Sequence, residues 1–375
     1  MTRDVVTQAR RIVIKIGSSS LTGKDGAGLN SAAVSTLVDA VAQLKKNGKE
    51  VIVVSSGAIA AGLAPLGLNA RPQDLATQQA AASVGQGLLI HSYTESFRRH
   101  SITASQVLLT IEDIVRRSHY QNAQRTLFKL LQLGVVPIIN ENDSVGTQEI
   151  RFGDNDRIAA LVSHLVGADL LVLVSDVDGL YDAPPSQPGA KKILRVESID
   201  EVAGADIGGA GSKVGSGGMV TKIEAARIST GAGIPMLLTS LEKVSISLTG
   251  ADEGTLFVAA TSKKSSRLLW LAHAATPRGR LILDAGAVTA LKERGVSLLP
   301  AGVTGVNGEF SSGDTVEIAA ADGTVIARGL VAFDSEEIPM MLGRSTKDLA
   351  KELGPEYERE LVHRDDMVLL WVMTS

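Results

Sequence analysis

The chain has 375 residues and 44% hydrophobic content, enough for a large core and more than one domain. A formal net charge of −4 and a pI near 5.9 exclude a general attraction for nucleic acid or for an anionic membrane. The absence of cysteine excludes disulfides and thiol nucleophiles, and without a secretory signal or an apolar run of roughly 20 residues we expect a cytoplasmic protein with no membrane partner.

Short β-rich runs alternate with longer stretches of helical periodicity as far as residue 240. In chain order these are RIVIKIG, SAAVSTLVDAVAQLKKNG, EVIVVSSG, AAASVGQGLLIHSYTESF, VVPIIN, DNDRIAALVSHLVGA, LLVLVSD and IPMLLTS. The apolar runs lack polar alternation, which is typical of strands covered on both faces. The pattern predicts an α/β fold, an αβα sandwich on a mainly parallel sheet.

The composition and the spacing of the apolar runs change after residue 240. The stretch ATSKKSSRLLW has the composition of a linker. Shorter runs separated by Gly and Asp turns follow it, with one short helix predicted at AGAVTALKERG. This pattern predicts a small C-terminal β-barrel. We therefore expect two domains, residues 1–262 and residues 275–375.

Polar and glycine-rich segments follow four of the predicted strands, namely KIGSSS, VSSGAIAAG, INENDS and VSDVDGLYD. Because ligands of open α/β sheets bind outside the carboxyl ends of the strands, we expect these segments to meet at one edge. Lys15 lies within an apolar strand, where an unpaired ammonium is costly, so it must reach an anion or the sheet edge. The glycine and serines after it expose backbone N–H groups that can hold phosphate.

Two further segments can present backbone donors. GSGGMVTKIEAARIST places glycines before a helix with Lys222 in its first turns, although it does not match the GxxxxGK[ST] P-loop. In VSSGAIAAG, the residues Ser56, Gly57 and Ala58 can offer N–H groups to a ligand carboxylate. Each segment also has a purely structural interpretation, as a flexible loop or a tight packing turn.

The stretch NENDSVGTQEIRFGDNDR is crowded with acidic and amide side chains. Its carboxylates are Glu141, Asp143, Glu149, Asp154 and Asp156, and its asparagines are Asn140, Asn142 and Asn155. The spacing does not fit an EF-hand, and a solvated loop explains the crowding poorly because Asp and Asn at a helix start can point into the strand-end cleft. The six histidines form no metal-spaced cluster, and His164 is interpreted as a packed structural residue. Direct metal ligands stay unknown.

Together these segments resemble the glutamate 5-kinase family, within the amino acid kinase superfamily. The resemblance rests on VIKIGSSSLT, VSSGAIAAG, PIINENDSV, GDNDRIAALV, SDVDGLYDAPP, GSGGMVTKIEAARI and GIPMLLTS, and the C-terminal segment is similar to a PUA domain. It extends from Arg11 to about Gly354. It implies transfer of phosphate from ATP to the γ-carboxylate of L-glutamate, which gives L-glutamyl 5-phosphate in the first step of proline biosynthesis.

The resemblance also implies roles for particular residues. Catalytic roles fall on Lys15, Lys222 and Asp156, the last orienting the two lysines, and glutamate contacts fall on Ser56, Asp143 and Asn155. Nucleotide contacts fall on Lys15, Ser175, Asp176, Ser216, Gly217, Gly218, Met219, Val220, Thr221 and Lys222. Ser216 stands where the family commonly has threonine, and both residues carry a hydroxyl. Mg²⁺, feedback inhibition by L-proline, a homo-oligomer and hand-off of glutamyl phosphate to a following reductase are implied as well.

Two alternatives stay open from the sequence. One is another superfamily kinase, with acetylglutamate, aspartate or UMP as the acceptor. The other is an RNA-binding protein, because PUA domains occur in such proteins. Residues 275–354 carry eight Lys and Arg against eleven Asp and Glu, a net charge of −3, whereas an RNA-binding module should have a basic face.

Overall fold

The computed structural model describes residues 3–22, 28–110, 113–114, 117–145, 155–185, 187–203, 218–259 and 277–370. Packing divides the chain into two compact units, Met1–Lys263 and Lys264–Ser375. The predicted linker, residues 260–270, lies outside the described residues. No helix in the described part of the chain is both long enough and apolar enough to cross a bilayer.

The first unit is built on an eight-stranded sheet in the order β3-β4-β2-β1-β5-β9-β10-β8. Its strands are β1 Arg11–Ile16, β2 Glu50–Ser55, β3 Ala104–Leu109, β4 Val136–Glu141, β5 Leu170–Ser175, β8 Arg195–Val196, β9 Met236–Ser240 and β10 Thr255–Phe257, with a separate hairpin of β6 Leu180–Tyr181 and β7 Lys192–Ile193. Neighbours from β3 through β9 run parallel, and β10 is antiparallel to β9. The predicted mainly parallel sheet is therefore confirmed.

Helices connect these strands. They are α1 Asp4–Gln8, α2 Ser18–Leu21, α3 Ser31–Lys46, α4 Ala58–Leu63, α5 Leu75–Arg98, α6 Arg117–Gln132, α7 Asn155–Leu165, α8 Asp200–Ala203, α9 Met219–Gly231 and α10 Val244–Ser247. Side chains that accept from first-turn N–H groups set two of the starts: Asn30 caps α3, and Asp74 caps α5 through Thr77 N at 2.8 Å.

Strand β1 separates the core from the predicted site. Ile12, Ile14 and Ile16 are fully buried on one face, in a core that includes side chains of α3 and α5. Because successive side chains of a strand point to opposite faces, Lys15 lies on the other face, where α7 packs against β1. The alternation of side-chain direction along this strand therefore directs a lysine toward the start of α7.

β3 and α6 were not predicted from the sequence. β3 is an edge strand whose residues are mostly half-exposed, and its sequence ASQVLL includes Ser and Gln, so it lacks the continuous apolar run of the central strands. β3 is defined by its six-residue pairing with β4. This pairing joins residues about 30 positions apart in the chain, so local sequence patterns do not show it.

The second unit contains a five-stranded mixed sheet in the order β12-β11-β13-β14-β15. Its elements are β11 Gly279–Leu283, α11 Ala285–Arg294, β12 Val303–Gly308, β13 Thr315–Ala320, β14 Val325–Leu330, α12 Thr346–Leu353 and β15 Met367–Leu369. The strand-rich domain and its helix at AGAVTALKERG are confirmed, whereas α12 was not predicted. The pairings described form a sheet, and closure into a barrel is not among them.

Helices α4 and α5 approach each other through two glycines. A Cβ added to Gly62 would lie 1.9 Å from Ala81 O, and one added to Gly85 would lie 1.8 Å from Ala58 O. Both obstacles are backbone atoms, so the helices would have to separate. This contact is relevant to the site because α4 begins directly after the turn at Ser56 and Gly57.

We expect Gly85→Ala to destabilise the first unit by about 1–3 kcal/mol or more, because overpacking displaces α4 from α5. Gly87→Ala on the same helix is the matched control, since its Cβ would meet nothing within 4 Å. Alanine should stabilise that position by up to about 1 kcal/mol through helix propensity. Urea unfolding followed by circular dichroism measures both changes, and equal stability of the two variants would contradict the close contact.

Candidate active site

Two lysines from different elements meet one buried carboxylate. Lys15 Nζ lies 2.5 Å from Asp156 Oδ1, and Lys222 Nζ lies 3.5 Å from Asp156 Oδ2. Lys15 comes from β1, Asp156 from the first turn of α7 and Lys222 from the first turn of α9. Their exposed fractions are 5%, 1% and 8%. The structure thus brings together the three residues for which the family resemblance implies catalytic roles.

The electrostatics of this triad favour an ionised carboxylate. Burial by itself would raise the pKa of Asp156, but the positive charges of Lys15 and Lys222 and a hydrogen bond from Thr221 Oγ1 outweigh it and lower the pKa to about 2. With both lysines protonated, one negative charge faces two positive ones. The triad therefore keeps a net positive charge that suits an anionic ligand.

An amide cluster lies beside the triad. Asn155 Nδ2 lies 2.8 Å from Ser56 Oγ, 3.0 Å from Asn140 Oδ1 and 3.2 Å from Ser55 O. The other atom of the amide, Asn155 Oδ1, is buried without a hydrogen-bond partner among the described residues. A buried acceptor without a donor favours a ligand that brings one.

The turn after β2 is fixed by backbone contacts. Ser56 N donates to Ile16 O at 3.1 Å, which holds the ends of β1 and β2 together. Gly57 adopts a φ of 105°, which is in the left-handed region that favours glycine, and α4 starts at the next residue. The sequence predicted this strand, turn and helix, and the turn lies at the strand-end edge that carries Lys15.

Asp143 lies in the turn after β4 and is half-buried. Burial raises the pKa of Asp143 to about 6, and the positive charge of Arg71 opposes this shift without cancelling it. The carboxyl group is therefore ionised above about pH 6 and is available to a cationic group there.

The nucleotide contacts implied by the sequence are described in part. Ser175 ends β5, and its Oγ donates to Asp176 Oδ1 at 2.9 Å. Gly218 precedes α9, and Thr221 Oγ1 lies 2.8 Å from Gly218 O. In the same turn Met219 is half-buried and Val220 is 75% exposed. Ser216 and Gly217, like Glu149 and Asp154, lie outside the described residues.

The polar groups of the described site can be compared with those that ATP and Mg²⁺ require. Lysine ammonium groups and the N–H groups at the start of α9 suit phosphate oxygens. No group of three His, Cys, Asp or Glu side chains suited to a metal occurs in the described ranges, and lysines already contact both oxygens of Asp156. The described residues therefore fit the phosphates of ATP, and they assign no ligand to Mg²⁺.

Two supporting residues were missed by the sequence analysis. Gln86 Oε1 accepts a hydrogen bond from Asn140 Nδ2 at 2.8 Å, and Tyr93 OH lies 3.0 Å from Ser55 Oγ. Both residues lie on the buried face of α5. A polar residue such as Gln86 on the apolar face of a helix could have indicated a role near the site. The sequence does not show which strand end this residue contacts.

A separate cavity of about 510 Å³ lies near the amino ends of β5 and β9, at the opposite edge of the sheet. His164 contributes to its lining together with residues 167–169 and 232–235. Burial lowers the pKa of His164, and its Nδ1 lies 3.5 Å from Tyr120 OH. The structural role expected for this histidine stays a prediction.

The parallel sheet and the paired lysines suit a phosphate ligand, and comparison with known proteins gives the class of protein. Residues 10–240 match the amino acid kinase family, and residues 279–353 match the PUA domain. The first match covers more than half of the chain, so the chain belongs to the amino acid kinase family.

Full-length relatives narrow this class. The chain is similar to the glutamate 5-kinase of Streptomyces avermitilis, with 60% identity over 370 residues, and to that of Streptomyces coelicolor, with 59% identity over 369 residues. Each match covers 98% of both chains. Carbamate kinase from Giardia lamblia bound to AMP-PNP covers 68% of this chain at 17% identity with a TM-score of 0.49, too distant to add to the assignment. Within the amino acid kinases, the chain is a member of the glutamate 5-kinase family.

We expect Asp156→Asn to lower the free energy of unfolding by about 3 kcal/mol, because two buried ammonium groups lose their shared counter-charge. Asp176→Asn is the control, since this carboxylate at the same edge is exposed and should change stability by no more than about 0.5 kcal/mol. Urea unfolding followed by circular dichroism measures both variants. A stability of Asp156→Asn equal to that of the control would contradict the pairing.

Proposed function

We propose that this chain transfers the γ-phosphate of ATP to the γ-carboxylate of L-glutamate, forming L-glutamyl 5-phosphate for proline biosynthesis. The observation that carries the proposal is the buried pair of lysines on Asp156, next to the open amide oxygen of Asn155. Such an arrangement offers a positive site for phosphate and a neutral acceptor for an amino acid within two consecutive residues. Membership of the glutamate 5-kinase family supports it.

The nucleophile of this reaction needs no general base. A glutamate side chain has a pKa of about 4.3, so its carboxylate is already ionised at neutral pH. The difficulty is that an anionic nucleophile must approach an anionic phosphate. Catalysis therefore depends on alignment of the two reactants and on positive charge around the transferring group.

Lys15 and Lys222 supply that charge in the proposal. They approach Asp156 from two elements, so the carboxylate limits where each ammonium can lie. Their charge stabilises the equatorial oxygens of the phosphoryl group during transfer. Mg²⁺ bound to the ATP phosphates would add further neutralisation. Ser175, Asp176 and residues 216–222 form the proposed nucleotide side of the site.

The amino acid head group is assigned to the other side. Its ammonium pairs with the Asp143 carboxylate and donates to Asn155 Oδ1, the acceptor without a partner among the described residues. Ser56 N already donates to a backbone carbonyl of β1, so the backbone N–H groups offered to the α-carboxylate are those of Gly57 and Ala58. This arrangement favours free glutamate over acetylglutamate, whose acetylated nitrogen carries no charge.

The test is a coupled assay of ADP release with L-glutamate, with and without Mg²⁺. N-acetyl-L-glutamate, L-aspartate and UMP serve as alternative acceptors. We expect Mg²⁺-dependent turnover with L-glutamate and little with the others. Faster turnover with any of the alternatives would replace the proposed substrate.

The proposal includes four further parts. L-proline keeps the ammonium and the carboxylate of the head group, so it should compete with glutamate, which the same assay tests at low glutamate. We also propose a homo-oligomer, which sedimentation measures, and a cytoplasmic location, which cell fractionation measures. Transfer of glutamyl phosphate to a following reductase is tested by product capture when that enzyme is added.

We expect Lys222→Ala to lower kcat by roughly 10²–10³ while changing the KM for glutamate far less, because its charge matters most during phosphoryl transfer. Lys46→Ala is the control, because Lys46 lies exposed in the last turn of α3. Steady-state kinetics with both substrates varied gives the two parameters. A kcat within a few-fold of the unmodified protein would make Lys222 a structural residue.

We expect kcat/KM for glutamate to fall as the pH drops below about 6, the raised pKa of Asp143. The carboxylate that binds the ammonium is ionised above this pH and neutral below it, so about one tenth remains ionised one pH unit lower. Asp143→Asn should have a high KM for glutamate and should lack this step, the fall in kcat/KM below about pH 6. Asn155→Ala should show a high KM that keeps the step, and loss of the step there would contradict the assignment.

A further inference from the structure

Three buried amide side chains form a chain of hydrogen bonds that leads to the amino acid side of the site. Gln86 comes from α5, Asn140 from β4 and Asn155 from the first turn of α7. Gln86 Oε1 accepts from Asn140 Nδ2 at 2.8 Å, and Asn140 Oδ1 accepts from Asn155 Nδ2 at 3.0 Å. Their exposed fractions are 9%, 1% and 7%. We call these residues the amide chain.

The orientation of each amide sets that of the next. Glu141 N donates to Asn140 Oδ1 at 2.9 Å, which identifies that atom as the oxygen of the amide, and Gln86 Oε1 supplies the second hydrogen bond that favours the same orientation. Asn140 Nδ2 then faces Gln86, and Asn140 Oδ1 faces Asn155. Asn140 Oδ1 and Ser55 O both accept from Asn155 Nδ2, so Nδ2 is directed inward and Oδ1 is left as an acceptor without a partner among the described residues.

Resting on the proposed function, we propose that Gln86 is a positioning residue that holds Asn140, and through it Asn155, so that Asn155 Oδ1 can accept from the glutamate ammonium. Gln86 contacts Asn140 and does not need to touch the substrate. Without Gln86 Oε1, the buried Asn140 Nδ2 would lose its acceptor. The present orientation of the Asn140 amide would then be less favourable relative to a rotated one.

The helix that carries Gln86 is held against the site at two other points. Tyr93, two turns further along α5, lies 3.0 Å from Ser55 Oγ at the end of β2. Gly85 packs so closely that a Cβ there would lie 1.8 Å from Ala58 O in α4. Because both contacts fix α5 relative to the Ser56 turn, Gln86 Oε1 has a defined position relative to Asn140.

The test compares Gln86→Met with Gln86→Glu. Methionine keeps the length of the side chain and removes the strong acceptor, whereas glutamate keeps an oxygen for Asn140 Nδ2 and replaces Nε2 with a second carboxyl oxygen. We expect Gln86→Met to raise the KM for L-glutamate about tenfold, with the KM for ATP changing less than about twofold. Gln86→Glu should raise the glutamate KM by less than about threefold.

Gln124→Met is the matched control, because Gln124 Nε2 donates to Leu165 O at 2.8 Å away from the amide chain. It removes one partly buried glutamine hydrogen bond and should leave both KM values unchanged. Equal increases in both KM values for Gln86→Met would indicate general damage and overturn the proposal. A Gln86→Glu variant as impaired as Gln86→Met would overturn the acceptor role.

A double-mutant cycle separates positioning from stability. In an Asn155→Ala background, Gln86→Met should change the glutamate KM by less than about twofold, because the atom that it positions is already absent. A tenfold change in that background would overturn the proposal. Should Gln86→Met fail to fold, Gln86→Asn withdraws the same oxygen by one methylene and takes its place in every comparison.

Assays of the unmodified protein separate failure of the proposed function from failure of the proposed role of Gln86. If it does not phosphorylate L-glutamate, the proposed function fails, whatever the variants do. If it does so and Gln86→Met, folded by circular dichroism, retains the same glutamate KM, only the role of Gln86 fails.

Discussion

The site depends on one electrostatic constraint: two buried ammonium groups share one buried carboxylate. Each buried ammonium group is costly without the Asp156 carboxylate beside it, and the two lysines lower the pKa of Asp156 against the effect of burial. The three residues come from β1, α7 and α9, so the parallel sheet and its helices must be assembled before the pairing exists. The excess positive charge then belongs to the fold and is in place before an anion binds.

Consecutive residues at the start of α7 divide the site into a charged and a neutral side. Asp156 faces the lysines, whereas Asn155 bonds to Ser56 and Asn140. The neutral side is anchored by α5 through Gln86 and by the close contact of α5 with α4. The positions of the side chains on the amino acid side are therefore set by helix packing and amide hydrogen bonds. A change in the packing of α5 can alter glutamate binding while the lysines and Asp156 keep their positions.

Much of this arrangement could be predicted from the sequence, for identifiable reasons. Central strands such as β1 carry continuous apolar runs, so a lysine within one of them is conspicuous, and the parallel sheet brings strand ends to one edge. The edge strand β3 and the partner of Gln86 were not predictable in this way. Both depend on residues far apart in the chain, and neither local periodicity nor composition records which elements become neighbours.

The use of an amide at Asn155, directly beside Asp156, follows from the same charge balance, while the proposed glutamate contacts also include the Asp143 carboxylate. A carboxylate in place of Asn155 would also accept from an ammonium, but it would stand next to Asp156 and compete for the two lysines. The positive excess that attracts phosphate would then be reduced or cancelled. An amide oxygen offers an acceptor without adding charge, provided that its orientation is enforced, because a carboxamide can equally present its nitrogen. Neutral recognition beside a phosphate site thus creates a need for residues that fix amide orientation, and the bond between Gln86 and Asn140 meets that need.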